Sequence, residues 1–385
     1  MSKKDDSPIT SKQFMKELHR YKNGSVTRRH FLGVTGLGTA MAVMAGTVPG
    51  LFPSIANAGN LGTRLNFATW PNYQDNDNLA KFTEMTGVHI NLSVFGSNEE
   101  MLAKLQAGGT GWDVFVPTNY TISTYSDLEL VEPLDLSKLP NFNPTTNEER
   151  FMQEGSINGN TYAVPKNWGT TGFVNNTAKT GTNMTSWKEF WEGSMDKYSG
   201  RTIVHDYQLT TIGNALVYFG HSFNSVDEAE LAQAEKLLID VKPHLFAITS
   251  DYQPGMRNED AWLSMCWTGD GKQLNTDKPE IEFVLGKEGG EIWSDFYAIP
   301  KGAPNLEAAY AFINFMQSPA VNAKECLAHG YPLVDSRATD LLPKSVKNDP
   351  ILYPAAELLS TLEFGAAATL TNPLRAEVMA RFKSA

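Results

Sequence analysis

From residue 65 the chain alternates two hydrophobic periods, and this alternation constrains its fold more than any other feature. "LNFATW" at 65–70 reads as a buried strand, and "NDNLAKFTEMTG" at 76–87 as a helix with Asp or Asn at its start and Gly87 positioned to end it. "VHINLSVF" alternates apolar and polar residues as a half-buried strand does. In "SNEEMLAKLQAGG" Ser97 and Glu100 have capping-box spacing and Gly108 closes the helix; "WDVFVP" is a third strand. This order predicts an α/β fold with a parallel sheet and helices on both faces. Ligands of such sheets sit beyond the carboxyl ends of the strands. Two aromatic segments fall there, "WPNY" (Trp70 to Tyr73) and "PTNY" (Pro117 to Tyr120).

The rest of the chain supplies a second set of elements. Helices are expected around Ser186 to Glu192 and Asp227 to Val241, and strands at "GRTIVHD" and at "LSMCWTGD", ending at Trp267. "IEFVLGKEGGEIWSDFYAIP" reads as another strand and turn. "NLEAAYAFINFMQSP" reads as a helix with Asn305 as its cap and Pro319 as its stop. With 385 residues, 41% of them hydrophobic, the chain can bury a large core, organised as two domains or one large one.

Residues 1–58 read as an export leader. A basic stretch carrying "TRRHFLG" is followed by an uncharged run from Phe31 to about Ile55 and by "ANA" at 56–58. Arg28 and Arg29, followed by Phe31 and Leu32, resemble a twin-arginine signal, which implies the twin-arginine export machinery as a partner. The alternative is an uncleaved membrane anchor; the Gly and Ala that dilute the run favour cleavage. "GVTGLG" within it has no strand before it and carries no nucleotide loop. Beyond residue 58 the chain keeps 24 of 32 basic and 40 of 43 acidic residues. That excess of acid argues against nucleic acid and suits a cationic partner, although acidic surfaces also confer solubility.

The two cysteines, Cys266 and Cys326, leave a disulfide open, and no metal-ligand spacing is present. An exported hydrolase would need a nucleophile with its base, and neither G-x-S-x-G nor a Ser-x-x-Lys set occurs. Asp295 stands out because it interrupts the apolar run Ile292, Trp293, Phe296, Tyr297, Ile299. A buried carboxylate costs several kcal/mol unless a cation or hydrogen-bond donor receives it. Its partner is either an internal donor or a ligand.

Taken in order, "W-x-x-Y", "SNEEMLAKL", "DVFVPTNY", "VPKNWGTTG", "CWTGD", "KEGGEIWSD", "GYP" and "LYP" resemble the periplasmic polyamine-binding proteins, the spermidine/putrescine-binding components of ABC importers. The resemblance implies a two-lobed periplasmic binding protein fold, type II-like, with hinge-linked lobes and the ligand cleft between them. Lobe 1 would comprise 59–168 plus 295–332 and lobe 2 169–294 plus 333–385. It implies a periplasmic location, an ABC permease as partner, no enzymatic activity, no cofactor and no metal.

A polyamine needs aromatic faces for its methylenes and charge, and carboxylates and hydroxyls at its nitrogens. By motif position these are Trp70, Tyr73, Tyr120, Trp267 and Trp293, with Thr118 as a hydroxyl partner and Asp295 as the amine-binding carboxylate. The chain departs from the family elsewhere. Asn72 stands where an acid is frequent. Two further amine-binding acids fall on Tyr207 and Thr210, with Asp206 one residue away on what reads as a strand. One acid in place of three or four leaves room for a smaller or singly charged amine. An amino acid or a metal ion, bound by the same architecture, is the alternative.

Overall fold

The computed structural model describes residues 61–108 and 111–385, so the leader expected over 1–58 lies outside the described residues. β1 (Arg64–Thr69) leads to α1 (Asn76–Thr86), where Asp75 accepts from the N–H groups of Asp77 and Asn78 and Gly87 ends the helix in the left-handed region. β2 (His89–Val94) leads to α2 (Asn98–Ala107), capped by the Ser97 hydroxyl, which accepts from the Glu100 N–H. The Glu100 carboxylate reaches back to the Gly96 N–H, one residue earlier than in a standard capping box. β3 (Val114–Phe115) follows, and β1 pairs in parallel with both β2 and β3. β2 lies at the end of the strand order, paired on one side only. Leu92 and Val94 are therefore exposed, and the half-burial expected from its pattern is confined to Ile90.

A small hairpin, β4 (Ser156–Ile157) with β5 (Asn160–Thr161), precedes β6 (Ala163–Asn176), a 14-residue strand buried along its whole length. Then come α3 (Trp187–Met195), β7 (Thr202–Val204), α4 (Gln208–Tyr218), α5 (Glu228–Val241), β8 (Leu245–Ile248) and β9 (Leu263–Trp267). β10 (Ile281–Val284) and β11 (Gly290–Ala298) are separate strands; the second is completely buried. α6 (Leu306–Met316), α7 (Pro319–His329), β12 (Leu362–Phe364) and α8 (Pro373–Ser384) complete the elements that position the site.

Strand order along the main sheet is β2-β1-β3-β11-β6-β9-β7-β8, with β10 on β6 and β12 on β11. The sheet is thus mixed. Two parallel groups, β2-β1-β3 and β9-β7-β8, are joined by the antiparallel pair β6/β11. One core packs Phe67, Phe82, Val114, Tyr297, Phe312 and Ile313 around the first group. Another, centred on Phe173, Trp187, Phe190, Ile212 and Leu238, covers the second and extends across to Phe115 and Tyr120.

Two expectations about helix ends are corrected. Pro319 does not stop α6, which ends at Met316; it is the first residue of α7, where its missing N–H costs no hydrogen bond. Asn305 occupies the N-cap position of α6 but its side chain accepts no capping bond; its amide donates to Asp113. Cys266 and Cys326 are buried, free, and in different apolar clusters.

Candidate functional site

Alternation along β11 puts Glu291, Trp293 and Asp295 on one face, opposite Thr171, Gly169 and Asn167 of β6. Trp267, at the end of β9, is in register with Thr171. The centre of the sheet therefore presents two tryptophans and two carboxylates. At Gly169 the close approach is obligatory: a Cβ there would lie 2.4 Å from the Trp293 ring.

Asp295 is 5% exposed, and both of its oxygens are engaged. The Tyr73 hydroxyl lies 2.7 Å from Oδ2 and 2.7 Å from Asn167 Oδ1, and the Thr118 hydroxyl donates to Oδ1 at 2.7 Å. Tyr73 arrives from the turn after β1, in which Asn72 is exposed and takes φ 55°, a conformation asparagine tolerates. Thr118 arrives from the end of β3 and is bridged to Asp295 through the backbone. Burial pushes the Asp295 carboxyl up to about 6, against the opposing effects of the Tyr73 and Thr118 hydroxyls and of the Lys166 charge.

Lys166 reaches this region through a fault in the ladder. Between Asp295 and Phe296 the register slips, so that Asn167 is followed as partner by Pro165 and Lys166 is left as an extra residue on β6. Its ammonium lies 4.4 Å above the Tyr73 ring and 3.4 Å from Glu325 of α7, so its ion pair is with Glu325. Asp295 consequently has hydroxyl donors and a nearby positive field but no ion-pair partner among the described residues.

The aromatic walls are contiguous. Tyr331 packs against Trp293 at 5.2 Å and against Tyr73 at 5.3 Å, while His205 packs on Trp267 at 4.4 Å. Trp70, half-buried, meets Phe95 edge-on. The indole N–H groups of Trp70 and Trp293 have no hydrogen-bond partner among the described residues.

Tyr207 and Thr210 do not lie on a strand, because β7 stops at Val204. Tyr207 is at the N-cap position of α4 and Thr210 is in its first turn, which corrects the reading of this stretch as a strand. Asp206 is exposed and takes the Ser250 hydroxyl. Thr210 is buried against His205 Nδ1 at 3.0 Å. Tyr207 is brought to the site: its hydroxyl touches that of Tyr120, and Asn98 Nδ2 donates to it at 2.7 Å. The same Asn98 amide is 2.9 Å from the Tyr120 hydroxyl and 3.2 Å from Thr118 Oγ1, while its buried Oδ1 has no partner among the described residues.

Sequence reading missed Asn98, Asn167, Lys166 and Glu291. Asn98 was hidden as the first residue of an ordinary helix. Glu291 was detectable in principle, two alternations before Asp295 on the same strand.

A hinged sheet of two parallel groups with an aromatic, acid-floored site at its centre defines a two-lobed solute-binding protein. The chain belongs to the bacterial extracellular solute-binding protein family, whose model matches residues 78–354. It is 33% identical over 315 residues to the spermidine/putrescine-binding periplasmic protein of Escherichia coli, covering 81% of this chain and 88% of that one. It is 31% identical over 296 residues to spermidine/putrescine-binding periplasmic protein 1 of Haemophilus influenzae, covering 76% and 81%. Among solved structures, the spermidine/putrescine ABC transporter substrate-binding protein of Streptococcus pneumoniae superposes with a TM-score of 0.71 at 28% identity, over 84% of this chain and 99% of that one. Like the relatives from Escherichia coli and Haemophilus influenzae, the protein is periplasmic.

Proposed function

We propose that this protein captures a polyamine in the periplasm and delivers it to the permease of an ABC importer. The observation that carries the reading is Asp295: a buried carboxylate furnished with two hydroxyl donors, walled by aromatic rings and lacking an ion-pair partner among the described residues. An ammonium group supplies what is missing. The rings of Trp70, Tyr73, Tyr120, Trp267 and Trp293 offer faces for its methylenes and charge. The protein performs no chemistry; ligand selects the closed arrangement, which the permease recognises. We assign the lobes as 59–168 plus 295–332 and 169–294 plus 333–385. Their crossings at β6, at β11 and at residues 331–335 serve as the hinge. Export through the twin-arginine route, with cleavage after residue 58, belongs to the same reading.

The test is a thermal-shift panel on the purified protein with putrescine, spermidine, monoamines, amino acids and ferric ion, since a ligand specific to the native state raises its melting temperature. A rise with a polyamine that is lost in Asp295→Ala supports the reading. A rise only with an amino acid or a metal overturns it.

A further inference from the structure

The floor of the site carries a second carboxylate, and its surroundings repeat those of Asp295. Glu291 is 2% exposed and accepts a hydrogen bond from the Thr171 hydroxyl at 2.5 Å, as Asp295 accepts from Thr118 and Tyr73. It has no ion pair among the described residues. The cation whose field reaches it is Arg375 of α8, but that guanidinium donates to the carbonyls of Leu209, Phe223 and Ser225. Between the two acids on the same face stands Trp293, held against Gly169. The Tyr120 and Tyr207 hydroxyls both feel the Glu291 charge, so it borders the part of the site that α4 closes. Two hydroxyl-bonded carboxylates with an indole between them match a chain of methylenes with an ammonium group at each end.

Four residues of strand separate the two Cα atoms by about 13 Å at about 3.3 Å per residue. With bonds of about 1.5 Å, each advancing an extended chain by roughly 1.25 Å, the ammonium groups of a four-carbon diamine are about 6 Å apart. A contact of about 2.8 Å at each end brings the span to about 12 Å, so an amine with an ammonium group at each end reaches both carboxylates and a monoamine reaches one.

Resting on the polyamine reading above, we propose that Glu291 is a second anionic anchor of the ligand site and makes the protein selective for an amine with an ammonium group at each end over a monoamine. The negative charge that the family resemblance places on α4, where this chain has Tyr207 and Thr210, comes instead from β11.

Titration calorimetry of the purified full chain with putrescine, spermidine and the monoamine butylamine tests this, using Glu291→Gln, Glu291→Asp and Asp295→Asn. Glu291→Gln keeps the shape and the acceptor for Thr171. It is expected to weaken putrescine and spermidine at least tenfold more than butylamine. Glu291→Asp is expected to recover part of that discrimination, and Asp295→Asn to weaken all three amines. If Glu291→Gln leaves the affinities for putrescine and spermidine unchanged, Glu291 is only a structural partner of Thr171 and the inference fails alone. If the native protein binds neither putrescine nor spermidine, the polyamine reading fails with it.

Discussion

Asp295 shows how a single side chain can state the charge of a ligand. Its carboxyl is raised from an ordinary value of 3.8 to about 6, first of all because it is buried. Raised in the folded state, it supports the ligand-free fold fully below pH 3.8, and that support is lost as pH rises through about 6. Amine binding runs the opposite way, because an ammonium needs the ionised form. Affinity for the amine should therefore fall by up to about tenfold per pH unit below 6, and calorimetry at pH 5, 6 and 7 would show it. Asp295→Asn should cost about 1.5–3 kcal/mol of binding, the worth of a charged hydrogen bond, while raising the melting temperature of the ligand-free protein at pH 8. A lower melting temperature there would mean that the carboxylate serves the fold and not the ligand.

At the scale of elements, the β6/β11 pair carries the site. Pro165 cannot donate to the ladder, and the register slip beside it leaves Lys166 over the Tyr73 ring. The Lys166–Glu325 pair is long, at 3.4 Å, and fully buried. Burial drives both partners toward neutrality, Lys166 downward and Glu325 upward. Desolvation thus outweighs attraction. Lys166→Met alone should cost about 3–5 kcal/mol in urea unfolding by stranding Glu325, and adding Glu325→Gln should recover most of it. Gly169→Ala forces the Trp293 ring to move, which should cost about 1–3 kcal/mol of stability and change the tryptophan emission of the ligand-bound protein.

For the whole molecule, the contact of Asn98 and Tyr120 with Tyr207 spans the two proposed lobes, and opening them would break it. Tyr207→Phe removes two hydrogen bonds from the closed state, to Asn98 and to Tyr120, together worth about 2 kcal/mol. Stopped-flow measurement should find amine release faster by about thirtyfold and association little changed. X-ray scattering of the native protein should show the radius of gyration falling when amine is added. No fall would mean that the lobes do not hinge as proposed.

The elements around β1 to β3 were legible because their signals are local: Asp75, Ser97 and Gly87 mark helix ends by hydrogen bonds to nearby backbone, and the strands between them are short apolar runs. Asp295 was legible because a lone acid in an apolar run is costly wherever it lies. By itself the sequence determined the α/β class, the ends of α1, α2 and α5, and the presence of one costly acid in an apolar strand. β6 was not legible as one strand, since its Pro165, Gly169 and Gly172 argue against a strand until β9, β10 and β11 bury it on both sides. Nor could local spacing show that Asn98 joins three hydroxyls, that Lys166 pairs with Glu325, or that Thr171 of β6 donates to Glu291. Those facts were decided by tertiary structure alone, because a hydrogen bond or ion pair between residues a hundred positions apart exists only once the sheet has brought them together.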